Sequence, residues 1–180
     1  MENETNKALI SAADFFANTA KKLLTTERGL HAETLIMSVA RMSGSFLYRS
    51  FGFDPALKPG TAVLSDQANL HGPKLMNVML VTLQQLGHKI GEESLNRDYV
   101  SAQFSQLTFQ ESHERLAPFF LKYCEVAPIS HHDAALGAAI ASGILVHECR
   151  EVLDITKGGA LAVYGLIEGT KTAPFPDEAV

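Results

Sequence analysis

The apolar segment 134–146, AALGAAIASGILV, constrains the fold more than any other part of the sequence. Small residues recur in it at intervals of four, and Ala135, Ala139 and Gly143 form one such row. Residues four apart share one face of a helix. Because the side chains on this face are small, they leave a gap that a close-packed core must fill. It is filled only where another helix comes close, either from the same chain or as the same helix of a second subunit. The segment therefore predicts close helix packing, and it suggests a homodimer with a two-fold contact.

The same segment is too short to cross a membrane. It has 13 residues, whereas a spanning helix needs about 20. The first ten residues, MENETNKALI, are polar and do not have the pattern of a signal peptide. The two cysteines have no CxxC spacing, which is typical of thiols in a reducing compartment. We therefore expect a cytoplasmic protein that does not bind membranes.

Helical periodicity also runs through most of the remaining chain. Thr108 and Glu111 have the spacing of a capping box, and Pro118 predicts a kink in the helix that follows. The segment 75–86 is apolar almost all round, which is typical of a central helix. Helices are predicted over approximately 9–23, 30–51, 75–86, 97–107, 108–127, 130–154 and 156–168.

No convincing strand pattern accompanies these helices. The segment 61–64, TAVL, is the only candidate. The sequence therefore predicts an all-α fold: a single-domain bundle of six or seven helices over residues 1–180, with an extended or disordered tail at 173–180.

Two arginines interrupt the apolar pattern of the predicted helix 30–51. Arg41 and Arg49 lie on a helix whose other faces are largely apolar. Such residues are either charges on the flank of the helix or groups that reach an anion. We interpret them as flank charges and keep the anion contact as the alternative.

The histidines and carboxylates of the predicted helix 130–154 raise the question of a metal site. His131 and His132 lie about 23 Å from His147 along such a helix, so they cannot share one ion with it. His147, Glu151 and Asp154 are instead spaced to lie on one face. A histidine with carboxylates at one-turn spacing can bind a transition metal in a bundle. The alternative is a solvated helix end with weak surface ion pairs.

A second group of polar residues precedes the predicted central helix. Asp66, Asn69, His71 and Lys74 crowd the segment 65–77, which we interpret as a turn ending in Gly-Pro. Free N–H groups at a helix start, with a lysine nearby, can bind a small anion. The segment does not have the P-loop or dinucleotide-binding pattern. The alternative is that these residues cap a buried turn.

The charge of the chain limits the classes of function. The net charge is −5 and no basic run occurs, so we do not expect nucleic-acid binding. No nucleophile and base are paired by a known spacing, so no reaction can be named. The leading hypothesis is a helical interaction or scaffold protein that forms a homodimer through the small-residue helix. The alternative is a bundle that binds a metal or a small anion, with enzymatic activity left open.

Overall fold

A computed structural model describes residues 2–53, 57–127 and 129–176 of the chain. Its regular structure consists of six α-helices and three short 3₁₀ turns, and the described residues contain no strand. The all-α class is therefore confirmed. The helices are α1 Glu2–Leu24, α2 Ala32–Ser50, α3 Asp66–Gln85, α4 Phe109–Val126, α5 His131–Glu148 and α6 Ile155–Thr170. None of the helices in these residues is long and apolar enough to pass through a lipid bilayer.

The small-residue helix α5 packs inside the chain, against α1, α2 and α3. A methyl group added to Gly143 would lie 2.9 Å from the Met79 carbonyl oxygen of α3, and one added to Gly137 would lie 3.0 Å from Ala12 of α1. Of the two partners considered for this helix, the structure thus supplies the internal one. The side chains of α5 that remain partly exposed in the middle of the helix are large: Leu136, Ile140 and Ile144. The homodimer stays a prediction, but the small residues are not available to form it.

The helix predicted at 75–86 begins earlier and is less enclosed than expected. Ser65 caps α3, because its hydroxyl accepts the Ala68 N–H at 3.1 Å. Pro73 therefore lies inside α3 and not at its start. Proline removes one helical hydrogen bond, and the capped turns before it keep the segment helical. Only one face of α3 is buried, and Val81 on another face is 37% exposed. The helices at the centre of the bundle are instead α5 and α2, and residues 34–48 of α2 are all buried.

The helix predicted over 130–154 is wrong at its C-terminal end. The helix α5 stops at Glu148, and a turn follows in which Leu153 is buried. Asp154 then begins the next helix, since its carboxylate accepts the N–H groups of Thr156 and Lys157. An aspartate at this position is a common helix N-cap.

The segment between α3 and α4 is also less regular than expected. The helix predicted over 97–107 is wrong, because the chain forms 3₁₀ turns at Glu92–Ser94, Arg97–Tyr99 and Ala102–Phe104. Asn96 and Ser101 accept backbone N–H groups at the starts of two of these turns, and such local bonds compete with a continuous helix. The capping box of Thr108 and Glu111 is confirmed.

The end of the described chain folds back over the loop between α2 and α3. Ala173 donates to Thr61 at 2.9 Å, and Gly60 donates to the Ala173 carbonyl at 2.8 Å. We call residues 171–176 the C-terminal strap. Of the predicted tail, residues 173–176 have no regular secondary structure and Ala173 pairs with the loop; residues 177–180 lie outside the described part. The strand candidate 61–64 forms only an isolated bridge with the strap.

Candidate functional site

The structure does not bring the four residues of the predicted ligand turn together. Asp66, Asn69, His71 and Lys74 all lie on α3, and at about 100° per residue they spread over roughly 200° of its circumference. His71 packs against the ring of Phe51 at 5.8 Å between centroids. The other three residues are exposed. The segment interpreted as a turn is part of α3, so these residues do not have the arrangement on which the predicted anion site was based.

The three residues of the predicted metal face are separated as well. His147 lies in the last turn of α5, where its Nδ1 is 2.8 Å from Nε2 of His88. Glu151 is exposed in the following turn beside Arg150, and Asp154 caps α6. Partial burial, then Arg150 and His88, lower the pKa of His147. Across 2–53, 57–127 and 129–176, no three histidine, cysteine or acidic side chains are placed to share a metal ion.

A different set of residues meets around a cavity of about 350 Å³ where α2 ends and α5 begins. We call it the α2–α5 cavity. Helix α2 contributes Tyr48 and Arg49, and α5 contributes His131. The C-terminal strap forms one wall, and the loop after α2 forms another. The apolar residues of these walls are Phe53, Leu57, Pro59, Ala173, Pro174, Phe175 and Pro176.

Tyr48, one of the residues that line this cavity, carries a buried hydroxyl group. Tyr48 is 6% exposed, and its hydroxyl has no hydrogen-bond partner among the described residues. Burial raises the pKa of Tyr48, so the hydroxyl keeps its proton at neutral pH. A buried donor without a partner costs about 1–3 kcal/mol, and such atoms are rare in native structures.

One arginine and one helix N-terminus lie at the same end of the cavity. The guanidinium of Arg49 is held there, because its Nη2 donates to the Phe175 carbonyl at 3.2 Å. His131 is the first residue of α5, whose N-terminus carries the positive end of the helix dipole. Ser130 caps that helix by accepting the Asp133 N–H at 3.0 Å. No acidic side chain within the described ranges lines the cavity.

A second buried polar group lies under the strap, next to the cavity. His113 is 2% exposed, and its ring lies 6.2 Å from that of Phe175 between centroids. Its Nε2 has no hydrogen-bond partner in the part of the chain that the structure describes. Burial, and then the charge of Arg49, lower the pKa of His113 to about 4. His113 is therefore neutral at physiological pH and leaves Arg49 as the fixed charge.

We expect His113 to make the stability of the fold fall in acid. The unfolded chain binds a proton at His113 with a pKa of about 6.5, whereas the folded chain does so only near 4. As pH falls between these values, protons therefore favour the unfolded state. Urea unfolding at pH 7 and pH 4.5 should show wild type losing about 2 kcal/mol more than His113→Gln. An equal loss in both proteins would contradict the buried, neutral state of His113.

The sequence pointed to part of this site. Arg49 was one of the two arginines for which an anion contact was the alternative to a flank charge, and the structure places it in the cavity. Arg41 is neither a flank charge nor a residue that reaches an anion, since its Nε donates to Glu168 at 2.6 Å inside the bundle. Sequence reasoning missed Tyr48 and the strap. Tyr48 reads as one more apolar residue of a buried helix, and no local spacing connects it with His131.

Comparison of the chain with protein-family models, with curated proteins and with solved structures gives no match of any of the three kinds. No relative therefore supplies a fold, a ligand or an activity.

Proposed function

We propose that the protein binds a small anionic molecule in the α2–α5 cavity. The observation that carries the proposal is the guanidinium of Arg49, which lines the cavity together with Tyr48, a residue whose buried hydroxyl has no partner among the described residues. The N-terminus of α5 adds a second source of positive potential at His131. This is the anion-binding alternative that the sequence raised, at a different place in the fold.

The proposed contacts are few, but each would be a hydrogen bond to a charged group. Hydrogen bonds to a charged group contribute about 1.5–3 kcal/mol each, and a guanidinium can make two parallel bonds to a carboxylate or phosphate. The apolar walls beside Arg49 and Tyr48 lower the local polarity, which strengthens these interactions. The proposal concerns binding and includes no reaction.

The interaction-protein hypothesis has weaker support. It was based on a small-residue face that would meet a second subunit, and α1, α2 and α3 cover that face. We therefore prefer the binding proposal.

A thermal-shift experiment tests the proposal with acetate, benzoate, inorganic phosphate and chloride at constant ionic strength. An anion that binds the folded protein at 100 times its Kd adds about 2.7 kcal/mol of stability, so the melting temperature should rise. We expect Arg49→Gln to abolish the shift and Tyr48→Phe to reduce it.

Lys74→Gln is the matched control, because it removes one positive charge from an exposed position on α3. It should leave the shift unchanged. A shift that survives in Arg49→Gln and disappears in Lys74→Gln would instead support the segment 65–77. The absence of any shift with every anion would contradict the proposal.

A further inference from the structure

Over most of its length, helix α5 is exposed to solvent along a single row of side chains. Between residues 133 and 147, which the structure describes without a gap, every residue is buried except five. We call these five the outer stripe: Asp133, Leu136, Ile140, Ile144 and His147. Their spacing of three, four, four and three residues places them on one side of the helix. The spacing is the same in both directions from Ile140, so the stripe is symmetric about its centre.

Helices α1 and α3 lie on either side of the outer stripe. At about 100° per residue, Gly137 is about 60° to one side of Ile140 and Gly143 about 60° to the other. The close neighbours of Gly137 belong to α1 and those of Gly143 to α3. The opposite side of α5 packs on α2, where Ser43 donates to the Ala135 carbonyl at 2.7 Å. Helices α1, α5 and α3 thus form one layer, and the stripe runs along the middle of its outer surface.

The outer surface of the layer stays apolar beyond the stripe. On α1, Ile10 is 51% exposed and lies about three turns before Lys21, whose ion pair with α5 shows that this side of α1 is next to α5. On α3, the partly buried Val78 lies one turn before Thr82, which faces α5. Val81, one turn of α3 beyond Val78, is 37% exposed. All three helices of the layer therefore expose apolar side chains on the same outer surface.

The two ends of the outer stripe carry opposite charges. Asp133 lies at the N-terminal end. At the C-terminal end, Arg150 is held against His147, because its Nη1 lies 3.2 Å from the His147 Nε2 and donates to the His147 carbonyl at 2.9 Å. The side chains of Asp133 and Arg150 are 39% and 42% exposed. Glu151 lies 3.5 Å from Arg150 but is 83% exposed, and ion pairs between exposed groups are weak. Both ends can therefore meet a charge on a partner.

We infer that two copies of the chain associate through the outer surface of this layer, with their α5 helices antiparallel and a two-fold axis near Ile140. In this arrangement Leu136 of one copy meets Ile144 of the other, and each Asp133 faces Arg150 of the other copy. A parallel pair would instead place Asp133 against Asp133 and Arg150 against Arg150, so the charges select the antiparallel pair. The association is independent of anion binding, and it involves the large residues of α5 instead of the small ones.

The layer is large enough for a dimer of modest affinity. The stripe is about 21 Å long at 1.5 Å per residue, and three helices about 8–10 Å apart make a surface roughly 27 Å wide. Two such surfaces bury roughly 1,100 Å² between them, which is close to the lower limit of about 1,200 Å² for specific interfaces. We therefore expect a dissociation constant in the micromolar range.

Analytical ultracentrifugation across micromolar concentrations tests the inference. The wild-type protein should change from monomer to dimer as its concentration rises. Ile140→Arg should weaken dimerisation at least about a hundredfold, because the interface would then bury two unpaired charges. Ile167→Arg is the matched control: Ile167 is 48% exposed on α6, outside the layer, and this variant should dimerise like wild type. Circular dichroism establishes that each variant is folded. A wild-type monomer at millimolar concentration, or a folded Ile140→Arg protein that dimerises like wild type, would overturn the inference.

Charge reversal tests the antiparallel arrangement. Asp133→Lys and Arg150→Glu should each weaken dimerisation, since each puts like charges in contact twice in a symmetric dimer. An equimolar mixture of the two variants should dimerise again, because both contacts then join opposite charges. Restored dimerisation in the mixture supports the two-fold contact through α5. A mixture that dimerises no better than the separate variants overturns it.

Discussion

Replacing Gly169 by alanine should lower the free energy of unfolding by about 3 kcal/mol or more. Helices α2 and α6 make the most extensive helix contact in the molecule, and Gly169 lies within it. A methyl group at this position would collide with the Arg41 carbonyl and come within 2.9 Å of the Ser45 nitrogen. Both are backbone atoms, so the helices would have to move apart.

Gly72→Ala is the matched control for Gly169→Ala. Gly72 is also inside a helix, but a methyl group there would meet only Thr170 Cγ2, at 3.9 Å. Because alanine is the better helix former, this variant should be about 0.5–1 kcal/mol more stable than wild type. Urea unfolding at pH 7 measures both changes. Equal midpoints for Gly169→Ala and wild type would contradict the close approach of α2 and α6.

Arg41→Met should cost about 3–4 kcal/mol of stability. Arg41 is 2% exposed; besides its ion pair with Glu168, its Nη1 donates to the Leu107 carbonyl at 2.8 Å and to Ser112 Oγ at 3.0 Å. The bonds connect α2 and α6 with the segment that leads into α4. Removing one partner of a buried ion pair leaves the other charge uncompensated, which costs about 3–5 kcal/mol. Glu168 retains some access to water, which favours the lower part of that range.

A double-mutant cycle separates the ion pair from the loss of packing. Arg41→Met, Glu168→Leu and the double variant are unfolded in urea under the same conditions. We expect the double variant to lose less stability than the two single variants combined, because neither charge is then left alone. Losses that add within about 0.5 kcal/mol would show that the two side chains act independently. Arg41 does not line the α2–α5 cavity, so anion binding should persist in Arg41→Met at temperatures where it is folded.

Local hydrogen-bond signals in the sequence predicted the helix starts that they govern. Thr108 with Glu111, and Ser130 with Asp133, form the caps that their three-residue spacing indicates. A cap depends on neighbours in the chain and needs no knowledge of the rest of the fold. Such signals determined the starts of α4 and α5.

The helix boundaries were predicted wrongly where a residue type is compatible with two different positions in a helix. Asp154 continues the acidic face of a helix just as well as it caps the next one, and only the turn after Glu148 distinguishes the two. Pro73 resembles the first residue of a helix, although the cap at Ser65 places it in the interior. The predicted metal face and ligand turn depended on these two interpretations.

The candidate site could not be derived from spacing at all. Tyr48, His131 and Phe175 come from three distant parts of the chain and meet because α5 and the strap pack near the end of α2. The sequence could identify a small-residue helix, but it could not show that its partners are α1, α2 and α3. The positions of side chains across helices follow from tertiary packing, which local patterns do not specify.

The most direct test of the anion cavity is a nuclear magnetic resonance titration of ¹⁵N-labelled protein, with benzoate and with phosphate in separate experiments. Anion binding at the α2–α5 cavity should shift the backbone amide signals of Tyr48, Arg49, Gly52 and His131 in a saturable manner with at least one of the two anions. The amides of the exposed start of α3 should not move. Saturable shifts confined to Asp66 and its neighbours, or no saturable shift with either anion, would contradict the account.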